Sequence, residues 1–466
     1  MTSIYPKFNF TPFNSKTHLR SLLTILLAFL LFSTAVAQDK TETKPQDKTE
    51  DKPIDKHANK PLVHYLNEDK THYVKFSGYA QVWARYTEMN PGSKVDGSAM
   101  KNKSDFSLRR FRVKMQIMPL DKFLIVVQAG STNLTELSNS ESAINLFDAY
   151  GEYQFNKNIQ VGAGRSAWKG LTRFASGPTA TLLYDVPFLT LGNVNVTDIT
   201  LRNLNIYAKG QVGKFDYRFV VAKPYVVSGT PAQGISAFNN LAVKPSLSGY
   251  VKYEFFEMES NAGATSAGSY LGKKKVLALG LGAEYQKNAL SSLNGSDTSL
   301  HSLKIFTADL FYDTPVNKSR GTAFNAYAAV FHHDYGPDYV RNLGINNMAN
   351  GVDSQAASFN GSGNSYPVVG TGNSFIIQTG YTLPYFNQKK KSARLMPAVG
   401  FQYSKFERLD DPMITYDLGL SLLLKDHASK FVFNAQSRPV YQYQGTELKV
   451  SERKMMYVLM YQINID

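Results

Sequence analysis

From Tyr73 to Ile465 the chain repeats one pattern, segments of roughly ten residues in which apolar and polar side chains alternate. In the last of them Met455, Tyr457, Leu459, Tyr461, Ile463 and Ile465 take every second place, with Gln462 and Asn464 between. Successive side chains of a strand point to opposite faces, so one face is apolar and the other wet. Val74, Phe76, Ala80, Val82 and Ala84 oppose Lys75, Ser77, Gln81 and Arg85 in the same way. A sandwich shows such a contrast on an edge strand or two, but not with charge on the inner parity in segment after segment. The pattern predicts an all-β transmembrane antiparallel barrel of about 16 strands, lipid outside and water inside.

The expected strands are residues 73–87, 105–118, 121–131, 145–156, 158–166, 197–210, 213–225, 245–258, 273–287, 300–313, 320–334, 372–384, 393–407, 411–426, 429–439 and 452–465. Connections mostly alternate between tight, as at 119–121 and 156–158, and long, as at 177–196 and 335–371. Short periplasmic turns and long outer loops leave that asymmetry. The long turn at 259–272 and the short loop at 408–410 fit it less well. The 28 Tyr and 29 Phe against two Trp supply candidates for interface girdles, among them Tyr73, Tyr86, Phe155, Tyr312 and Tyr381.

Mean hydropathy is −0.27, and no apolar run reaches the ~18 residues of a spanning helix. Any crossing is therefore made by strands. Residues 1–37 read as a signal peptide, with Lys7, Lys16 and Arg20 before the apolar 22–32 run and Ala35-Val36-Ala37 as cleavage site. Residues 38–67 read as a disordered, charged periplasmic spacer, since a stretch this poor in apolar side chains cannot offset its ordering entropy by burial. Residues 68–466 form the barrel domain. Without cysteine the exported chain has no disulfide framework, lipid anchor or thiol chemistry.

The formal charge is +14, and removal of the three leader cations leaves +11. An exported chain without a nucleic-acid motif directs that charge toward small anions and lipopolysaccharide, not nucleic acid. The sharpest basic motif is DFSLRRFRVKMQIM, residues 105–118. Phe111, Val113, Met115 and Ile117 form one row and Arg110, Arg112 and Lys114 the other; the phase slips at Arg109-Arg110, as a β-bulge allows. Two readings stand, a ladder of cations along a channel wall and a set of interface cations paired with Asp148 and Glu152. The second basic stretch is the long connection after the fifth strand, with Arg165, Lys169 and Arg173 at four-residue spacing. If briefly helical, it presents the three on one face. It either folds into the lumen and narrows the pore or lies solvated outside. His332-His333-Asp334 splits between the two faces of a strand, so no metal site is expected, and no catalytic motif sits in its required context. Neither a cofactor nor enzyme activity is expected.

FSGYAQVWARY, FSLRRFRVKMQIMPLDKF, LFDAYGEYQF and VGAGR, within about residues 76–165, resemble the phosphate-selective porin O and P family of Gram-negative outer membranes. The resemblance implies a homotrimeric passive channel for phosphate or other small anions, with Arg109, Arg110, Arg112 and Lys114 in the family's basic strand motif. The chain departs from the family in carrying Arg165 where Lys is frequent and in ending INID without a terminal aromatic residue. A general-diffusion pore and a non-conducting adhesion barrel are the alternative functions. The expected location is the outer membrane of a Gram-negative bacterium, in contact with its lipid and lipopolysaccharide.

Overall fold

The computed structural model describes residues 62–465 apart from 139–143, 176, 178, 192–201, 228 and 242. The leader, and the spacer before Leu62, lie outside the described residues. Sixteen long strands follow in order: β1 (Tyr73–Glu88), β2 (Asn102–Leu120), β3 (Phe123–Leu134), β4 (Asn145–Gln154), β5 (Gln160–Ser166), β6 (Asn203–Val212), β7 (Phe215–Ala222), β8 (Ser246–Glu254), β9 (Val276–Asn294), β10 (Asp297–Asn317), β11 (Thr322–Asp334), β12 (Gly372–Thr382), β13 (Arg394–Phe406), β14 (Met413–Lys425), β15 (Ser429–Gln444) and β16 (Glu447–Ile465). Each pairs antiparallel with its sequence neighbours. β16 returns to β1 in the register Gly78↔Ile465 to Thr87↔Met456, which closes the sheet and removes its edges.

The wall is inverted relative to a soluble protein. Ile206, Leu281 and Leu418 are each at least 60% exposed on the outer face, while Lys209, Asp309 and Gln462 are at most 4% exposed inside. Lipid replaces a protein core on the outer side, and backbone groups are satisfied strand to strand. Both ends of the barrel chain emerge at one rim, which the short turns mark as periplasmic. The spacer ends earlier than its expected limit at residue 67, because Leu62–Tyr65 is a short strand paired with β1 from Leu62↔Phe76 to Tyr65↔Tyr73.

Strand lengths differ widely around the wall. β5 has 7 residues and β10 has 21, whereas a tilted span takes roughly 9–11. The β9–β10 and β15–β16 hairpins therefore stand above the bilayer on the outer side, turning only at 295–296 and 445–446. The sequence placed their ends lower, since pairing beyond the lipid no longer needs an apolar face. The expected strand at 197–210 begins at Asn203, with 192–201 outside the described residues.

The apolar core lies in the lumen. Leu171, Phe174, Leu182, Leu183, Tyr184, Val186 and Phe188, from the connection between β5 and β6, pack against Tyr327, Ile376 and Met396 of the wall. A second inward segment is the 255–275 connection between β8 and β9, the turn whose length did not suit a periplasmic rim.

Candidate functional site

The β5–β6 connection crosses the barrel. Its Lys169 Nζ lies 3.0 Å from Glu284 Oε1 on β9, and its Arg173 N donates to Asp309 Oδ2 on β10 at 3.0 Å. The carbonyl of Thr181 accepts from Lys430 Nζ on β15, and that of Thr179 from Gln462 on β16. Leu183 fills a socket made by Gly400 and Gly419, where an added Cβ would come within 2.8 and 2.5 Å of its methyl carbons. Of the two alternatives for this connection, the structure has it folded inward. It is not helical around the basic triplet, however. Among its described residues a short 3-10 turn occurs only at Phe188–Leu191, so Arg165, Lys169 and Arg173 do not share a helix face.

The two arginines at the phase slip are both inward and both 1% exposed. Gln81 faces Arg110 and Val82 faces Leu108, so Arg109 is the extra residue of a β-bulge. Asp185 of the inserted connection reaches them together, with Oδ2 3.0 Å from Arg109 Nε and Oδ1 3.0 Å from Arg110 Nη2. Arg109 also donates to Asn133 Oδ1 at 2.6 Å and stacks over Trp83. These two cations hold the insert to the wall.

Arg112 lies flat on Phe147 at 3.6 Å and donates to the carbonyls of Phe111 and Ser131. Lys114 stands in a lateral row with Ser77, Gln128 and Asp148 across β1 to β4. Arg165 belongs to β5 on the parity of Val161, the outward set, and its Nε donates to Phe147 O. Lys169 is held by Glu284, and Arg173 by Glu259, with Nη2 2.6 Å from Oε1. Asp148 and Glu152 are indeed engaged by cations, but by Arg202 at 3.1 Å and Lys209 at 3.1 Å.

Two adjoining cavities remain between the β1–β6 wall and the inserted segments, of about 360 and 180 Å³. Both are lined by Lys114, Gln128, Arg202 and Thr265, and the larger also by Arg112. The charged side chains lining them are Arg112, Lys114 and Arg202 against Asp148. Arg202 and Asp185 were not singled out by the sequence. Asp185 stands in the middle of the long connection, where alternation assigns no face, and Arg202 immediately precedes β6.

The 255–275 connection meets the β5–β6 insert from below. Ser266 N donates to Arg173 O at 2.9 Å, and Arg173 Nη2 to Ala267 O at 2.8 Å. Glu259 also takes Lys252 Nζ at 2.9 Å and Tyr270 Oη at 2.6 Å. Burial alone would raise the Glu259 pKa, but Arg173 and Lys252 bring it down to about 2.

The closed antiparallel sheet with its lipid-facing wall is that of a transmembrane β-barrel. No protein-family model and no curated protein matches the sequence. Among solved structures it is similar to the outer-membrane channel DcaP of Acinetobacter baumannii, at 13% identity and a TM-score of 0.49 over 86% of this chain and 99% of that one. OprB of Pseudomonas putida aligns at 9% identity and 0.49, over 84% and 94%. An anion-selective porin from Comamonas acidovorans aligns at 11% and 0.42, over 84% and 99%. These likenesses concern the barrel and bring no residue role to this chain.

Proposed function

We propose that the protein is a passive outer-membrane channel for small anionic solutes, with its path along the β1–β6 side of the lumen. The observation that carries this reading is the pair of adjoining cavities with three cations and one carboxylate on their lining. An anion entering a narrow pore loses hydration, and fixed guanidinium and ammonium groups replace it with charge-assisted hydrogen bonds. Of the seven cations expected to line an anion path, Arg112 and Lys114 belong to this space. Arg109, Arg110, Lys169 and Arg173 are ion-paired around the insert and act on the path by fixing its shape, and Arg165 sits on the outward parity.

Phosphate is the solute that the sequence resemblance suggests, and a homotrimer the assembly. A general-diffusion pore with mild anion preference is the second reading, favoured by the neighbouring Asp148. Planar-bilayer recordings test all of these. Discrete conductance steps, a reversal potential displaced toward the anion in a salt gradient, and block of chloride current by inorganic phosphate support the phosphate reading. Steps without phosphate block favour general diffusion, and stable insertion without conductance would sink the channel.

A further inference from the structure

The periplasmic rim is strongly basic on one side only. Three neighbouring connections, following β8, β10 and β12, carry Lys273, Lys274 and Lys275, then Lys318 and Arg320, then Lys389, Lys390 and Lys391. Acidic residues are missing from 271–275, 318–321 and 383–393. Charge concentrated in this way is costly unless something anionic meets it.

Between these turns lies a cavity of about 160 Å³, lined by Lys273, Lys318, Lys391, Arg394 and Tyr385. Arg394 is 1% exposed and lies on the Tyr385 ring at 4.4 Å. Its Nη1 donates to Gly321 O at 2.6 Å and its Nη2 to Asp426 Oδ1 at 2.6 Å, while its buried Nε has no partner among the described residues. Asp426 also takes Lys273 Nζ at 2.7 Å. Asp426 thus answers two of the four cations that line the pocket.

The outward row of β10 reads Leu310, Tyr312, Thr314 toward the periplasm, and past a bulge at Val316 the chain turns through the exposed Lys318. Leu310 and Val316 are exposed, and Tyr312 packs at a tilt against Phe324 of β11. Phe386, beside the lysine run, is 66% exposed. Apolar, aromatic, then cationic is the order of environments from acyl chain to headgroup in one leaflet. A soluble polyanion has no use for the exposed Val316 and Phe386.

We infer that this rim pocket binds the phosphodiester headgroup of an anionic phospholipid of the periplasmic leaflet, with Lys318, Lys391 and Lys273 around the phosphate and its acyl chains against Val316 and Phe386. The site is separate from the proposed solute path and stands or falls without it.

Native mass spectrometry of the full-length, delipidated protein with added phosphatidylglycerol or phosphatidylcholine is the test, run on wild type, on K318E/K391E, and on K157E/K214E, which alters other periplasmic turns. Wild type and K157E/K214E should retain phosphatidylglycerol in preference to phosphatidylcholine. K318E/K391E should bind it more weakly by about twentyfold or more, taking each lysine as roughly fivefold. Heat-modifiable mobility on gels verifies that each variant is folded; should K318E/K391E fail to fold, K318Q read by the same assay replaces it. Equal retention of the two lipids, or an equal loss in both double variants, overturns the inference. So does full displacement of the lipid by millimolar inorganic phosphate, which would make the pocket a site for the free anion.

Discussion

Asp185 decides what the two most conspicuous arginines do. Arg109 and Arg110 point inward, yet both end on its carboxylate at 3.0 Å. Removing one partner of a buried pair costs about 3–5 kcal/mol. Asp185→Asn should therefore lower the thermal stability of the insert and add uncompensated positive charge to the lumen. Single-channel recordings should show larger conductance and stronger anion preference, and an unchanged reversal potential would show that the arginine pair lies off the ion path. Lys114→Glu makes the opposite prediction. It reverses a charge on the lining of both cavities, so the reversal potential should move toward cations. The shift should be largest at low salt, since the Debye length is ~8 Å at physiological ionic strength.

At the scale of elements, the β5–β6 insert is seated by shape as well as charge. Gly419→Val places side-chain atoms where Leu183 now sits, so the insert must lift while the outward faces of β13, β14 and β15 are untouched. Conductance should rise, with heat-modifiable mobility retained; loss of the folded band would mean that the insert is needed to form the barrel. The Arg173–Glu259 clasp sets a pH window. The Glu259 pKa is depressed from 4.5 to about 2, so its contribution is complete above the unfolded value and is lost as pH falls through about 2. Limited proteolysis of the insert should be unchanged from pH 7 to about pH 5.5 in wild type and accelerated at pH 7 in Glu259→Gln. Accelerated cleavage of wild type already at about pH 5.5 would show that another group governs the clasp.

For the whole molecule, closure of β16 on β1 together with a lumen packed by two inserted segments predicts a detergent-extracted protein dominated by β signal in circular dichroism, with its mobility on gels shifted only after boiling. A helical or water-soluble product would contradict the barrel. The unequal wall, low at β5 and tall at β9–β10 and β15–β16, gives the molecule two sides, and the basic rim beneath β9 to β13 adds a charge asymmetry to that of height. Proposed trimer contacts are best sought where the wall is low. Chemical cross-linking of the protein in native membranes, which should give a band at three times the monomer mass, tests that proposal.

The sequence by itself determined the strand count, the inward and outward parities of β1 and β2, the bulge at Arg109-Arg110 and the rims of most turns, but not the bulge of β4 that turns Phe147 inward. All of these follow from a two-residue period set by the pleat, which is local. It did not determine which lumen cations face water. That depends on where Asp185, Glu259 and Arg202 arrive; the first two come from long connections, where no period assigns a face, and Arg202 from the residue before β6. Nor did it determine the fate of the two long connections, because Leu171 to Phe188 find their apolar partners only once strands far apart in sequence have closed around them. Alternation wrote the wall; only tertiary closure settled what fills it and which of its charges remain along the cavities.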